Sequence, residues 1–250
     1  AQCLVGSEMC IRDRYMTGLN SKFFNYSDCA PSSTAALASW WFADKYSNPS
    51  LLYNELKMLK NGEYASCAEN RLLPMIMAFA NNLNLDAISA PSNKLWSGKG
   101  ETPVVMVHTD WTYTDTDKYL GIKGGKAGSS HGHMDAGSFI FERDGVRWAM
   151  DLGMQSYITL ESKGVDLWNM SQNGQRWEVF RLSNIAHNTL TINGERHLVK
   201  SNAPITRTFE SKKQKGAEVD LSSVFANSVK KVVRTCLLYT SPSPRDTERS

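Results

Sequence analysis

His131-Gly132-His133-Met134-Asp135, followed by Asp151 and then by Ile185-Ala186-His187-Asn188-Thr189, is the part of this chain whose residue types and spacing suit chemistry. Neutral imidazoles and a carboxylate drawn from separate segments can converge on one divalent ion, and that donor set suits zinc or iron. On an extended strand, residues two apart point to the same face, so His131 and His133 are expected to share one side. Asp151 falls where the partner strand of a hairpin turning at Asp144-Gly145 would carry it. His187 is expected from a third strand or its entry. Any one of these histidines alone is more simply a hydrogen-bonded core or surface residue; the set, among only 5 histidines, favours a metal.

Two metal chemistries compete on spacing. His133-Met134-Asp135 with His187 and Arg196 imitates the facial triad of iron- and 2-oxoglutarate-dependent oxygenases. A cupin would want a glutamate near Gly137 and Ser138, where none stands.

The elements that must position these residues change character along the chain. Residues 15 to 90 read as helical. Thr34–Ala43 is apolar nearly all round, Asn48-Pro49 offers a cap and a first-turn proline, Leu52, Leu56 and Leu59 share a face, and Asn61-Gly62 supplies a stop. A further helix is expected over Glu69–Asn81, with Pro74 kinking it or marking a later start. Ser, Pro, Asn and Gly between Ser89 and Glu101 suggest a boundary. Strands are then expected over Pro103–Thr109, Tyr119–Lys123, Gly137–Arg143, Val146–Leu152, Thr189–Ile192, Ile205–Phe209 and Val219–Phe225. Asp144-Gly145 and Asn193-Gly194 are the hairpin turns. Short strands without intervening helices indicate antiparallel sheets rather than βαβ units, so the expected class is α+β: helices, then an antiparallel β-sandwich.

Composition narrows the partners. With 28 Lys+Arg against 25 Asp+Glu the net charge is +3, too small and dispersed to argue for nucleic acid, and no stretch is long and apolar enough to span a membrane. Both ends resemble a translated sequencing-library adaptor. Met9-Cys10-Ile11-Arg12-Asp13, written as ATG TGT ATA AGA GAC, reverse-complements to a sequence that reads Cys-Leu-Leu-Tyr-Thr in a shifted frame, as in Cys236–Thr240. Residues 1–14 and 236–250 are therefore expected to be non-native. Cys29 and Cys67 then remain, too few and too far apart for a disulfide framework, and are expected to be buried thiols.

A resemblance then becomes specific. His131–Phe139, Arg147-Trp148-Ala149-Met150-Asp151-Leu152-Gly153 and Ala186-His187-Asn188-Thr189-Leu190 resemble the C-terminal domain of the heparinase II/III-like polysaccharide lyases. Phe24-Asn25-Tyr26-Ser27-Asp28 and Trp168–Trp177 also resemble segments of that family.

The resemblance implies the tail of an (α/α) toroid over residues 15–95 and a truncated β-sandwich over 100–235, with an acidic, uronic-acid-containing polysaccharide between them. It implies zinc as cofactor, held by His133, Asp151 and His187 and mainly structural, with His131 at the active-site cleft instead of in the ligand set. The implied reaction is β-elimination; the family's other catalytic residues, a Tyr and an Asn or His, lie upstream on the toroid. Tyr26 is the candidate substitute, with packing as its plainer role. Trp168, Asn169, Gln172 and Arg176 are candidate substrate-binding residues, although the tryptophans of that loop can equally cap the core and an isolated Arg more often makes a surface ion pair. Asp135 is expected to orient His131 or His133. Lys123, Lys126 and Gly124–Ser130 are expected to form a flexible run serving as a cleft loop or a linker. Periplasmic or secreted localisation follows from the family alone. Two alternatives stay open: a non-catalytic carbohydrate-binding piece and the iron oxygenase.

Overall fold

Asp144 and Gly145 both take left-handed backbone angles, φ 55° and 71°, the geometry of a two-residue turn whose twist matches its flanking strands. In the computed structural model, which describes residues 6–33, 35–114 and 116–239, that turn joins β4 (Phe139–Arg143) to β5 (Val146–Ala149). With β1 (Leu95–Gly98), β2 (Val104–His108) and β3 (Lys118–Lys123) they form a five-stranded antiparallel sheet in sequence order. A second sheet, also antiparallel, is β6 (Ile205–Glu210), β7 (Gln214–Asp220) and β8 (Val233–Tyr239).

The two sheets bury Val105 and Val107 of β2 and Leu120 and Ile122 of β3 against Ala217, Val219 and Leu238. The alternate residues, Val104, Met106, Tyr119 and Ile140, pack on the opposite face against Tyr15, Met16, Phe24 and Trp111. Because both faces are covered, β2 is buried at every position and its sequence does not alternate. Close approach fixes one residue here: a Cβ on Gly121 of β3 would stand 2.5 Å from Phe24 Cδ1.

The helical part is α1 (Gly6–Met16), α2 (Ala38–Lys45), α3 (Tyr53–Lys60) and α4 (Pro74–Ala80). Trp40 and Ala43 of α2 and Leu51 and Leu52 pack with Ile76, Phe79 and Ala80 of α4. Pro74 marks the start of α4, where its missing N–H is harmless, so the expected helix from Glu69 loses its first turn. Among the expected Leu face, Leu52 is buried while Leu59 is exposed. Thr34, in the helix expected over Thr34–Ala43, lies outside the described residues, and the helix itself begins at Ala38.

Other differences have local causes. Strand β1 occupies the expected boundary, pairing Trp96 with Met106 across a Ser- and Gly-containing segment that carries little strand signal. Residues 189–192 form no strand although Asn193 and Gly194 do make their turn, and β7 ends at Asp220 where Val219–Phe225 was expected to be strand. Residues 11–14 and 236–239, set aside as adaptor-like, lie in α1 and β8; residues 1–5 and 240–250 lie outside the described residues. Cys29 and Cys67 are half-buried free thiols, less enclosed than expected. Among the described residues no helix is long and apolar enough to cross a membrane.

One buried ion pair ties the N-terminal segment to the sheet. Arg147 Nε donates to Glu142 Oε1 at 2.6 Å, and Glu142 Oε2 accepts the backbone N–H of Leu19 at 2.6 Å. The same guanidinium donates to the Lys22 carbonyl, the Phe23 carbonyl and Asn25 Oδ1. Glu142→Ala strips this cluster of its acceptor and is expected to cost roughly 3–5 kcal/mol in urea unfolding, the usual penalty for orphaning a buried charge. A loss below about 1 kcal/mol, the worth of an exposed pair, would contradict the burial argument.

His108 gives a pH dependence. Desolvation in a fully buried site, stacked on Trp111, pushes its pKa down from 6.5 to about 3, against the opposing hydrogen bond to the Tyr15 carbonyl. Between those values the unfolded chain binds the extra proton. The contribution is therefore fully present above about pH 6.5 and is lost as pH falls toward about 3. In His108→Phe, the slope of stability against pH near pH 5 is expected to shrink by about 1.4 kcal/mol per unit.

Candidate functional site

The segment from Phe24 to Asp28, gripped by Arg147, runs beside the turn after β5. Asn25 Nδ2 donates to the Asp151 carbonyl at 2.8 Å, and Gly153, at φ 60°, is packed so closely that a Cβ would stand 2.4 Å from the Cys29 carbonyl oxygen. This contact brings Asp28 to the histidines.

Asp28 is the hub. Its Oδ1 accepts from His133 Nε2 at 3.0 Å, and its Oδ2 accepts from His131 Nδ1 at 3.1 Å and from the Tyr157 hydroxyl. Burial, the largest single influence, pushes the Asp28 carboxyl up, but the hydrogen bonds from His133 and Tyr157 outweigh it and hold it below the usual range. Tyr157, on the short helix α5 (Tyr157–Glu161), stacks its ring on His131 with centroids 6.2 Å apart. Burial and then the Asp28 carboxylate raise its pKa.

His131 and His133 do not share a strand face. His131 sits at φ 58°, a left-handed angle that breaks the extended geometry, so its side chain is 65% exposed while that of His133 is 0% exposed. They converge through Asp28 instead. Asp151 lies two residues beyond the end of β5, and His187 enters from a 3-10 turn at Asn184–Ala186. His187 Nδ1 donates to Asp151 Oδ2 at 2.7 Å, and Asp151 Oδ1 accepts the Gly153 N–H at 2.8 Å. Burial pulls the His187 pKa down, but the Asp151 hydrogen bond and the charges of Asp135 and Asp151 raise it above the ordinary value. The His133 and His187 rings lie 5.4 Å apart, and His133 Nδ1 and His187 Nε2 are buried with no hydrogen-bond partner.

Asp135 does not orient either histidine. Buried, it pairs Oδ1 with Lys123 Nζ at 2.6 Å and accepts the Ser27 N–H and hydroxyl on Oδ2, so it fixes the residue next to Asp28. Burial would raise its pKa; Lys123, His187 and His133 together hold it well below the carboxylate range. Both of its oxygens are thereby committed. Lys123 ends β3 and is fully buried, not part of a mobile loop. Residues 124–130 are pinned as well: Gly125 exchanges backbone hydrogen bonds with Ala203, Gly128 donates to the Val199 carbonyl, and Lys126 pairs with Glu101.

The loop from Trp168 to Trp177 divides. Arg176 is buried, and its Nη2 donates to the Gly132 carbonyl at 2.9 Å; it braces the histidine loop and is not free to meet a substrate carboxylate. Gln172 spends its amide on the His197 carbonyl and the Val199 N–H. Trp177 is core. Trp168 and Asn169 stay exposed, and Trp168 meets the Tyr157 ring edge-on at 5.3 Å. Tyr26, Asp28, His131, Met154, Tyr157 and Ile158 line a cavity of about 720 Å³. Tyr26 packs edge-on to Phe24, and burial raises its pKa. Asp28 and Tyr157 are what sequence reasoning missed. Asp28 stood within a quoted segment but had no partner in view, and Tyr157 lies on a helix too short to show periodicity.

Two antiparallel sheets thus stand beside a cavity that one histidine, His131, lines. The chain belongs to the heparinase II/III-like family: the model of that family's C-terminal region matches residues 100–250. Among solved structures, a heparan sulfate lyase HepC from Pedobacter heparinus is similar at TM-score 0.56 and 10% identity over 94% of this chain. A structure of Heparinase III is similar at TM-score 0.55 and 15% identity, also over 94%. The chain spans only 30% and 32% of those two chains, and at such identities the likeness is one of fold. No curated protein matches the sequence.

The buried Lys123–Asp135 pair sets a stability test. Lys123→Met alone is expected to destabilise by several kcal/mol, because it leaves a carboxylate buried without its counter-charge; Lys123→Met with Asp135→Asn is expected to recover most of that loss. Thermal or urea unfolding reads both. A double variant no better than the single would mean that Asp135 does not depend on Lys123.

Proposed function

We propose that this chain is part of a polysaccharide lyase that cleaves a uronic-acid-containing polymer by β-elimination, with a zinc ion held by His133, Asp151 and His187. The observation that carries the reading is the pair of buried imidazoles, 5.4 Å apart, whose His133 Nδ1 and His187 Nε2 meet no partner. Buried polar nitrogens left in this state cost free energy unless something takes their lone pairs. Among the described residues no three His, Cys, Asp or Glu side chains form a ready-made metal cluster. The donor types nevertheless suit zinc: two such nitrogens, joined by the Asp151 carboxylate once it gives up the hydrogen bond it accepts here from His187 Nδ1. Bound there, zinc supplies a structural tie among the segments bearing these three residues.

In the reaction proposed, the proton on carbon 5 of a uronate is removed, the bond from carbon 4 to the glycosidic oxygen breaks, and a double bond between carbons 4 and 5 remains. That proton is weakly acidic while the neighbouring carboxylate is charged, so donors must stabilise the dianion. His131, exposed at the cleft with Nδ1 committed to Asp28, keeps Nε2 for accepting a proton when the ring is neutral, or for neutralising that carboxylate as the imidazolium. Trp168, Tyr157 and Ile158 offer surfaces on which sugar rings pack. Similarity to a heparan sulfate lyase and a heparinase supports an acidic polymer as substrate. The same reading makes residues 15–95 the end of an α/α toroid and puts the protein in the periplasm or outside the cell.

Metal analysis tests the first half: one zinc per chain is expected, lost in His187→Ala, and iron in its place would favour an oxygenase. A parent-length protein given heparan sulfate, chondroitin or alginate is expected to raise ultraviolet absorbance as unsaturated ends form. His131→Ala should slow this by about 10²–10⁴-fold. Zinc without any such rise, on any uronate polymer, would leave a carbohydrate-binding role.

A further inference from the structure

We infer that Asp28 is a positioning residue that sets opposite tautomers on two histidines two positions apart, leaving Nδ1 of His133 for a metal and Nε2 of His131 for the substrate. What those nitrogens serve rests on the reading above; which nitrogens they are does not.

An ionised carboxylate only accepts hydrogen bonds, so every group on it must donate. Asp28 Oδ1 faces His133 Nε2 at 3.0 Å, which therefore carries its proton on that nitrogen, and the other nitrogen, Nδ1, is the one found buried and unpaired. Asp28 Oδ2 faces His131 Nδ1 at 3.1 Å; the Tyr157 oxygen is also 3.2 Å from that nitrogen but gives its one proton to Asp28, so His131 carries its proton on Nδ1, the opposite choice to His133. The carboxylate is itself held. Its neighbour Ser27 donates twice to Asp135, and the Tyr157 hydroxyl donates to the same Oδ2 while its ring stacks on His131. Tautomer control by a carboxylate on the far ring nitrogen is the ordinary way a protein orients a metal-binding histidine. Here one carboxylate does it for a buried histidine and a cleft histidine together. A change at either ring is consequently felt at the other.

Nitrogen-15 NMR of the histidine rings reads this directly in the 250-residue chain, freed of metal and held at alkaline pH. Wild type is expected to show His133 protonated on Nε2 and His131 on Nδ1. Asp28→Asn is close to isosteric but offers one accepting oxygen and one donating amide, so it can keep only one of the two rings; the other tautomer should reverse or mix. Tyr157→Phe leaves both carboxylate oxygens accepting and should preserve both tautomers. On adding zinc chloride, the wild-type His133 Nδ1 signal should move, and Asp28→Asn should bind zinc roughly 10–100-fold more weakly. A wild-type His133 protonated on Nδ1, or an Asp28→Asn variant with both tautomers unchanged, overturns the assignment. Wild type that shows the expected tautomers but takes up no zinc supports Asp28 as the positioning group and overturns the zinc reading instead.

Discussion

The grip of Arg147 on residues 22–25 is the constraint from which the site follows. Glu142 and Arg147 sit on adjacent strands of one hairpin, and neither is stable there alone: each charge is desolvated and needs the other. Having paired, they still hold unused hydrogen-bonding capacity, which Leu19, Lys22, Phe23 and Asn25 take up. A segment more than a hundred residues away in sequence is thereby docked on the hairpin. Three residues past that dock stands Asp28, and its carboxylate organises everything on the cleft side.

Around the histidines many polar groups are paired, while Ser138 Oγ, Arg176 Nε and Asn184 Oδ1 are buried without a partner. Lys123 pairs with Asp135, Arg176 with the Gly132 carbonyl, and Asn188 Nδ2 with the carbonyls of Phe139 and Met150. Each completed bond in a buried polar network ties its segments to their surroundings, and this pairing so ties the loops 131–135, 151–153 and 185–189. What singles out the partnerless nitrogens on His133 and His187 is that their rings lie 5.4 Å apart. They lie where the proposed zinc would draw the same three loops together, and the proposed lyase chemistry needs those loops still because His131 rides on one of them.

Much of the sheet was legible because its signals are local. The Asp144-Gly145 turn, the apolar runs of β2 and β3 and the strand start at Ile205 each depend on residues within a few positions of one another. The misses have the opposite character. Strand β1 forms from weak sequence because β2 offers it a partner, and the expected strand at residues 189–192 does not pair despite a good turn. The same-face argument for His131 and His133 assumed extended backbone, and one left-handed residue, His131 itself, undid it. Arg176 looked available because sequence carries no burial; in the fold it is enclosed and committed.

The sequence alone determined which chemistry is on offer, since the donor types at 131, 133, 151 and 187 and the family membership of residues 100–250 are properties of residue identity and order. Tertiary structure decided the assignments: that Asp135 serves Lys123 and Ser27, that Arg176 braces a loop, and that Asp28 and Tyr157 belong to the site at all. The physical reason is that a hydrogen bond is spent once. Which partner each group spends it on depends on contacts between distant segments, and no spacing along the chain records them.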